Sequence, residues 1–422
     1  MNRSTKTRYV IFQILIEILK KNRNYETVFN QKITEFNFKQ NEVSFINNVC
    51  LNTMRKQFHC KKILSNFTRK KLKVKEFLIL SSAITQIFYL NIKPYAVVNE
   101  AVNIAKIIKV YPSFINAILK NILKETFNNK QIKLNYNDFP KWFVEQIKGN
   151  VNFDPDLFIN TYHEQPSLHL VFKSKEALNN FSEPNTKTSP KSAFVENQKK
   201  ISDMHRFKEG EWWVQDFSSM LPLTIIDNIQ NLKILDLCAA PGGKAFQIIS
   251  NNKVILNDIS KKRILKLKEN LKRLKHKVEI KNLNGLNFNE KNKYDIVVLD
   301  SPCSSIGTIR KHPEIFFKTN TPNFASLNKL QNSLLHKSSK LVKNKGKIIY
   351  MVCSFFHSET IEIINNFLKK NKNFKIEKYK LNTGLKNVKN LITKEGYFLT
   401  IPTKFKNHNI DGFFSAQLIK ND

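Results

Sequence analysis

The sequence predicts two folds in one chain, an all-helical bundle followed by an α/β domain. In the first 125 residues, apolar side chains recur at helical spacing and no convincing strand pattern interrupts them. From about residue 201, apolar strands without clean alternation are each followed by a helix, which indicates a parallel sheet covered on both faces. A chain of 422 residues is also too long for one ordinary core, so two or three domains are expected.

The helical region is predicted to end near residue 125. The apolar series that mark its helices are 10–19, 77–88, 97–105 and 114–122. Pro94 and Pro112 mark the turns before the last two series. A basic stretch, Thr68–Lys75, lies between helices, where it fits either contact with phosphates or an ordinary solvated loop.

Residues 126–205 are predicted to form a linker and a small α+β subdomain, and residues 206–422 the α/β domain. In the linker we expect a short helix opening at Lys141, a strand at Leu168–Phe172 and a loop-rich stretch over 182–200. The strands predicted in the α/β domain are 233–239, 254–257, 294–300 and 347–353, and its helices are 261–274, 327–341 and 359–368.

The chain is strongly basic. It contains 70 Lys and Arg against 34 Asp and Glu, a formal net charge of +36. This excess favours a polyanionic partner, with nucleic acid ahead of an acidic membrane surface. Biased coding is an alternative source of the lysines, although it does not by itself explain why acids are so few. No run reaches the roughly 18 apolar residues that a membrane span requires.

Five cysteines occur without a C-x-x-C pair or an even framework, which favours a reduced, cytoplasmic compartment. Cys50, His59 and Cys60 lack a fourth ligand at suitable spacing, so no metal is expected. Cys50, Cys60 and Cys238 are interpreted as small buried residues. The protein is expected to be monomeric.

A ligand-binding turn is predicted where the strand Ile234–Leu237 runs into Cys238–Lys244. Gly242 and Gly243 allow backbone to approach a ligand closely, at the carboxyl edge where doubly wound sheets bind ligands. The next strand ends in Asn257-Asp258, whose carboxylate can accept hydrogen bonds from ribose hydroxyls. Together these features indicate a nucleoside cofactor, with a purely structural turn as the alternative.

Cys303 and Cys353 follow two further predicted strands, the first within Asp300-Ser301-Pro302-Cys303-Ser304. Two thiols beside a nucleoside pocket suggest nucleophilic chemistry on an electrophilic ring. Carbon 5 of cytosine becomes nucleophilic enough to take a methyl group only after a thiolate adds to carbon 6. A base must then remove the C5 proton before the thiol is eliminated.

These motifs resemble those of a known family. Cys238–Lys244, Asp300–Ser304 and Cys353-Ser354 are similar to the motifs of the Sun-type RNA cytosine-5 methyltransferases. Pro94–Val102 and Phe114–Leu119 resemble the NusB-type RNA-binding domain. The resemblance covers nearly the whole chain and is weakest between about residues 126 and 205. It implies a NusB-like bundle joined to a Rossmann-like domain that uses S-adenosyl-L-methionine to methylate carbon 5 of a cytidine, with small-subunit (16S) ribosomal RNA as the expected substrate.

The resemblance also implies roles for particular residues. Cys353 would attack carbon 6, Cys303 would assist proton removal and product release, and Asp300 would lie between cofactor and base. Asp258 would hold the ribose and Asn284, where the family commonly has Asp, would face adenine. The cofactor's methionine part would be wrapped by Cys238, Ala239, Ala240, Pro241, Gly242, Gly243 and Lys244.

Two other functions stay open at this stage. The chain could be an RNA-binding assembly or antitermination factor whose second domain binds cofactor without turnover. It could also carry the same chemistry to DNA, although no separate domain for recognising a DNA target is visible. Retention of Cys353, Cys303 and Asp300 together favours the enzyme.

Overall fold

The computed structural model describes the chain except for residues 126–131, 149, 151–152, 197–198, 227–228, 291–292, 381–387, 389 and 422. The described residues form two compact units. A helical unit contains residues 1–148, 154–164 and 309–321, and an α/β unit contains residues 149–153, 165–308 and 322–422. The predicted start of the linker, residues 126–131, lies outside the described residues.

The helical unit confirms the predicted NusB-like bundle. Its first seven helices are α1 (Arg3–Lys21), α2 (Tyr25–Phe36), α3 (Gln40–Arg55), α4 (Gln57–Phe67), α5 (Val74–Ile84), α6 (Pro94–Ile107) and α7 (Pro112–Lys124). Asparagine side chains cap two of them, since Asn2 accepts from the Thr5 N–H at 2.8 Å and Asn24 from the Thr27 N–H at 3.2 Å. Pro94 and Pro112 begin α6 and α7, where their fixed φ angles suit the first helical turn.

Three more short helices complete the helical unit, namely α8 (Lys141–Ile147), α9 (Pro155–Thr161) and α14 (Glu314–Phe317). The last belongs to the segment 309–321, which lies far along the chain from the others. Phe317 is 1% exposed within the bundle core, and α14 contacts α1 and α3. The buried Arg310 donates from Nε to the Thr161 carbonyl at 2.9 Å, and its own carbonyl accepts from Arg55 Nε at 2.8 Å. The helical unit is therefore built from separate stretches of sequence.

The α/β unit contains a sheet with strand order β10-β14-β9-β8-β5-β6-β7 and with β11 paired to β14. These strands are β5 (Lys233–Asp236), β6 (Lys253–Asn257), β7 (Glu279–Lys281), β8 (Tyr294–Asp300), β9 (Val342–Val352), β10 (Phe374–Glu377), β11 (Phe398–Thr400) and β14 (Phe413–Lys420). The pairs β5–β6, β5–β8, β6–β7 and β8–β9 are parallel. The Rossmann-like prediction is confirmed in this part.

The four predicted strands are parallel, but the sheet also has an antiparallel part that was not predicted. β14 lies between β9 and β10 and runs antiparallel to both. A parallel connection requires a long crossover, usually a helix. The described residues between β10 and β14 form no α-helix, only short strands. The sheet is therefore mixed, with an antiparallel region beside its parallel core.

Both faces of the sheet are covered, as predicted. Alternate residues of β8 enter two different cores, Ile296 and Val298 on one face and Val297 and Leu299 on the other. The helices of the unit are α10 (Lys175–Asn179), α11 (Phe217–Thr224), α12 (Gly243–Ile248), α13 (Lys261–Arg273), α15 (Phe324–Leu341) and α16 (Ile361–Lys370). Side chains of α11, α12 and α13 fill the first core, and those of α15 and α16 fill the second.

The loop-rich stretch predicted over 182–200 instead contains two strands. β2 (Asn185–Ser189) and β3 (Ser192–Val195) pair antiparallel, and β3 continues to β1 (Leu168–Phe172) and β4 (Trp212–Val214). The prediction failed because β2 is an edge strand of polar residues, Asn-Thr-Lys-Thr-Ser, held by backbone hydrogen bonds rather than by an apolar face. A further hairpin joins β12 (Thr403–Phe405) and β13 (His408–Ile410). No helix among the described residues is long and apolar enough to cross a membrane.

We expect Phe317→Ala to destabilise the helical unit by about 3–5 kcal/mol, the usual cost of truncating a buried phenylalanine. Hydrogen exchange of the full-length protein should then show lost protection in α1 and α3. Ile315→Ala, at a half-buried position in α14, is the matched control and should have a smaller effect. Unchanged protection in Phe317→Ala would mean that segment 309–321 does not contribute to the stability of the bundle.

Candidate active site

The carboxyl ends of four parallel strands meet at one edge of the large sheet. β5 ends at Asp236, β6 at Asn257, β8 at Asp300 and β9 at Val352. The chain therefore brings the turn after β5, the end of β6 and both cysteine loops to the same side of the unit. This is the edge at which open α/β sheets bind their ligands.

The turn after β5 is fixed by hydrogen bonds to the end of β6. The Ala239 N–H donates to the Asn257 carbonyl at 2.8 Å, and the Ala240 N–H to Asp258 Oδ2 at 3.1 Å. Gly242 has φ = +114°, and a Cβ atom there would lie 2.2 Å from the Phe246 ring and 2.7 Å from Leu267. Only glycine fits this position, which begins α12.

Asp236 supplies a buried carboxylate at the base of this turn. Its side chain is 1% exposed, and neither oxygen has a well-formed hydrogen bond from a described residue. Burial, followed by repulsion from Asp300, raises the pKa of Asp236 to about 7. A buried polar group without a partner is costly, so this position fits a ligand that supplies hydrogen-bond donors or positive charge.

Asp258 and Asn284 are both engaged in local structure. Asp258 is 2% exposed, and its Oδ1 accepts from the Ser260 N–H at 2.8 Å while its Oδ2 accepts from Ala240. Its carboxylate therefore shapes the turn, whatever further bond it makes to a ribose. Asn284 is exposed, and its Oδ1 accepts from the Leu286 N–H at 3.0 Å as a helix cap. Its amide nitrogen remains as the group that could face a ligand.

Two exposed apolar side chains beside these residues were missed by the sequence analysis. Ile259 is 65% exposed and Leu283 is 45% exposed, each just beyond the end of a strand. Hydrogen bonds join their loops, since Asn282 Nδ2 donates to the Ile259 carbonyl at 3.1 Å and Asn257 Nδ2 to the Leu283 carbonyl at 3.1 Å. They offer apolar surface to a flat ring. An apolar residue directly after Asp258 was the available signal.

The structure brings Cys303 and Cys353 together. Their sulfur atoms are 3.4 Å apart, at the ends of the neighbouring strands β8 and β9. The Gly307 N–H donates to the Cys353 carbonyl at 3.0 Å and so ties the loop after Cys303 to the end of β9. Ser305 has φ = 60° and places its hydroxyl 3.5 Å from Cys353 Sγ. The two thiols are thus held as a pair.

The surroundings favour a thiolate on Cys353 and a thiol on Cys303. A hydrogen bond from Cys303 lowers the pKa of Cys353 despite burial, and the Ser305 hydroxyl and the Lys244 ammonium lower it further. The same hydrogen bond, together with burial, raises the pKa of Cys303, and the carboxylate of Glu359 adds to this rise. Of the two thiols, Cys353 is therefore the one that loses its proton more readily. Deprotonated sulfur is the nucleophilic form of cysteine.

Lys244 and Asp300 form an ion pair beside the thiols. Lys244 Nζ is 2.7 Å from Asp300 Oδ2 and 5.0 Å from the centroid of the Phe413 ring. Burial by itself lowers the pKa of Lys244, but attraction to Asp300 and the hydrogen bond between them leave it raised. Lys244 is part of the predicted cofactor turn, and its side chain is directed to Asp300.

Glu359 is a fully buried carboxylate that connects the two cysteine loops. Ser304, next to Cys303, donates to it from the backbone N–H at 2.7 Å and from Oγ at 2.5 Å. Ser354, next to Cys353, donates from Oγ at 2.6 Å. A side-chain amide adds one more donor, since Gln331 Nε2 lies 3.2 Å from Glu359 Oε1.

The sequence predicted no role for Glu359 beyond a place at the start of the predicted helix 359–368. Its spacing of six residues from Cys353 was the available signal. Charge-assisted hydrogen bonds of this kind are stronger than neutral ones. They keep the residues that follow the two thiols at a fixed separation.

The remaining cysteines do not join this pair. Cys50 and Cys60 are fully buried in the core of the helical unit, and burial raises the pKa of both thiols, that of Cys60 to about 12. Cys238 lies in the cofactor turn, and burial likewise raises its pKa. Among the residues that the structure describes, no group of three or more His, Cys, Asp or Glu side chains could hold a metal ion.

Two family models match the chain. One is described as "16S rRNA methyltransferase RsmB/F" and matches residues 223–419, and the other is described as "NusB family" and matches residues 5–124. The chain thus combines a NusB-type domain with a methyltransferase domain of the RsmB/F type. The resemblance drawn from the motifs is thereby confirmed, and the chain is an S-adenosyl-L-methionine-dependent methyltransferase of ribosomal RNA.

Relatives and solved structures match over most of the chain. Ribosomal RNA small subunit methyltransferase B of Proteus mirabilis (strain HI4320) is 26% identical over 87% of this chain and 92% of the relative. The probable ribosomal RNA small subunit methyltransferase B of Bacillus subtilis (strain 168) is 26% identical over 99% of both chains. The crystallised protein PH0851 is 21% identical, with a TM-score of 0.74 over 100% of this chain and 99% of that one. The structural likeness shows the fold.

The residues at the sheet edge fit S-adenosyl-L-methionine. Asp236, which has no well-formed hydrogen bond from a described residue, can accept from the cofactor's ammonium group or, through water, from its ribose. Ile259 and Leu283 offer apolar contact to the adenine ring. When bound, the cofactor supplies the electrophilic methyl group of its sulfonium.

We expect Glu359→Gln to lower methylation by up to about 100-fold, since small misplacements of reacting groups have effects of that size. The amide keeps the volume of the carboxylate but offers one acceptor oxygen to four donors, so the free energy of unfolding should fall by about 1–3 kcal/mol. Glu362→Gln, at an exposed site on α16, is the matched control. Turnover and chemical denaturation are measured for both variants. Wild-type values for Glu359→Gln would mean that Glu359 does not hold the two cysteine loops in place.

Proposed function

We propose that the protein methylates carbon 5 of a cytidine in small-subunit (16S) ribosomal RNA through a covalent adduct between Cys353 and carbon 6. The observation that carries the proposal is the 3.4 Å separation of Cys303 and Cys353 at the sheet edge that holds the cofactor turn. Cytosine-5 methylation needs one sulfur nucleophile and a second group that handles the C5 proton. The names of the relatives support the small-subunit substrate.

In this mechanism Cys353 begins as the thiolate that Cys303, Ser305 and Lys244 stabilise. Its sulfur adds to carbon 6, which makes the ring enamine-like and carbon 5 nucleophilic, so that carbon 5 would accept the methyl group that S-adenosyl-L-methionine would supply. Asp300 is proposed to hydrogen-bond the cytosine edge while Lys244 holds its carboxylate in place. The Lys244 ammonium also offsets negative charge that develops during addition.

Release of the product is assigned to Cys303. Once Cys353 is bonded to carbon 6, it no longer carries the charge that keeps the proton on Cys303. Cys303 then loses that proton to water and, as a thiolate, accepts the proton from carbon 5. The ring electrons expel Cys353 as a thiolate, so the net products are 5-methylcytidine, S-adenosylhomocysteine and one proton.

The helical unit is proposed to bind the RNA substrate and to leave the chemistry to the α/β unit. The match to the NusB family and the chain's net charge of +36 support this division. Bisulfite sequencing of small-subunit ribosomal RNA, from cells with and without the gene, tests the proposed function. One cytidine should lose its methyl group without the gene, and an identical methylation pattern in both would contradict the proposal.

Cys353→Ala should abolish methylation and leave S-adenosylhomocysteine affinity within about twofold of wild type, because it removes only the covalent step. Calorimetric titration and a methyl-transfer assay measure the two properties. Cys60→Ala, which removes a buried thiol far along the chain, controls for the loss of a sulfur atom. Turnover within tenfold of wild type in Cys353→Ala would mean that another group is the nucleophile.

Cys303→Ala should accumulate a covalent RNA–protein complex, since the adduct forms and accepts methyl but cannot be resolved. A denaturing gel should show a band that is absent from Cys353→Ala and from the double variant. The same change removes the hydrogen bond that lowers the pKa of Cys353, so the pH midpoint of adduct formation should move upward. Loss of activity in both single variants without any such band would show that the division of labour is wrong.

A further inference from the structure

The helical unit contains a groove of about 590 Å³ that the chemistry above does not use. It lies between α4 and the start of α5, beneath the connection that joins them. Its apolar surface is formed by Phe58, Leu64, Leu72, Val74 and Phe77. Its volume lies within the roughly 300–1,000 Å³ typical of ligand pockets. The groove is therefore large enough for a nucleotide.

The rim of this groove is basic. Lys20 from α1, Lys61 from α4, and Arg69, Lys70 and Lys71 from the connection line it, and no acidic residue does. All five side chains are exposed, and none has an acidic partner among the described residues. The acid nearest along the chain to the connection, Glu76, accepts from the Lys73 N–H at 2.8 Å. Glu17, three residues before Lys20, forms an ion pair with Arg23. Positive charge without compensation, gathered around a concave surface, attracts an anion.

The combination of aromatic floor and cationic rim selects the kind of anion. Phosphate alone would bind the rim but leave the apolar floor exposed to water. An acidic side chain would also bind the rim, but it has no flat ring to place on the floor. A nucleotide satisfies both, because its base can contact Phe58, Phe77 and Leu72 while its phosphates reach Lys61 and Lys70. Single-stranded RNA supplies such unstacked bases, whereas duplex RNA does not.

We propose that this groove binds one unstacked nucleotide of a single-stranded segment of the RNA substrate. The proposal rests on RNA being the substrate and adds the place and the manner in which the helical unit engages it. The base occupies the apolar floor, and the flanking phosphates lie against the basic rim. The groove thereby selects RNA that offers a single-stranded nucleotide.

A crosslinking experiment with the full-length protein locates the RNA. A 12-nucleotide single strand carrying one 4-thiouridine is irradiated with the protein, and the crosslinked peptide is identified by mass spectrometry. The expected crosslink falls within residues 57–77, and an excess of unlabelled RNA abolishes it. A crosslink to other parts of the helical unit, with none in 57–77, would overturn the proposal.

Charge reversal tests the rim with a matched control. Lys61→Glu/Lys70→Glu changes two groove residues, and Lys93→Glu/Lys106→Glu changes two exposed lysines of the same unit outside the groove. Both variants alter the net charge equally. In the groove variant, the slope of log affinity against log salt concentration should become shallower by about two, which corresponds to the loss of two phosphate contacts. The control should show a smaller change in this slope. Equal losses in the two variants would show that only general charge matters.

The floor is tested by Val74→Ser, at a partly exposed position where folding tolerates the change. It should weaken binding of RNA that carries bases and leave binding of an abasic strand unchanged. Equal effects on both strands would overturn the stacking part of the proposal. Displacement of the crosslinked RNA by polyglutamate as readily as by RNA would assign the groove to an acidic protein instead.

The outcome separates this inference from the proposed function. If Cys303→Ala traps RNA but the groove variant binds RNA like its control, the inference fails alone. If no cysteine adduct forms in any protein while thiouridine still crosslinks to residues 57–77, the proposed chemistry fails and the groove remains an RNA site.

Discussion

The geometry of the catalytic centre depends on the buried carboxylate of Glu359. The two cysteines follow different strands, and parallel pairing of β8 with β9 brings only their backbones together. Beyond the strands, the loops are joined by the backbone hydrogen bond from Gly307 to Cys353 and by one buried acceptor that takes hydrogen bonds from Ser304 and Ser354. Since each serine directly follows a cysteine, any movement of this carboxylate changes the distance between the two sulfur atoms. The site therefore relies on a side chain that is itself fully buried.

At the carboxyl edge of the sheet, carboxylates outnumber the basic side chains that pair with them. Asp236, Asp258 and Asp300 all lie at strand ends; Lys244 pairs with Asp300, and Arg263 lies 3.7 Å from Asp258. The Lys244 ammonium is thereby held close enough to Cys353 to favour the thiolate. Asp236, which has no well-formed hydrogen bond from a described residue, has a raised pKa and is suited to receive a positively charged or hydrogen-bonding ligand. The binding and the nucleophilic parts of the site are thus coupled through Lys244 and Asp300.

Much of this arrangement could be predicted from the sequence, because it depends on local patterns. The apolar runs of β5, β6 and β8 were placed within a few residues, and the rule that parallel strands end at one edge brought Cys303 and Cys353 together. Features that depend on pairing between distant segments were not predictable in this way. The insertion of β14 between β9 and β10 leaves no local trace, and β2 pairs through its backbone alone.

The same limit applies to individual residues. Glu359 resembles an ordinary residue at the start of a helix until its four donors are known, and Ile259 resembles an ordinary loop residue until its exposure is known. Segment 309–321 follows the cysteine loop along the chain, yet Phe317 lies in the bundle core. This has a consequence for dividing the protein into fragments. A cut near residue 125 would separate Phe317 and Arg310 from the helices that they pack against and leave a hole in the core of the bundle. The two units are therefore not separable at one point along the chain.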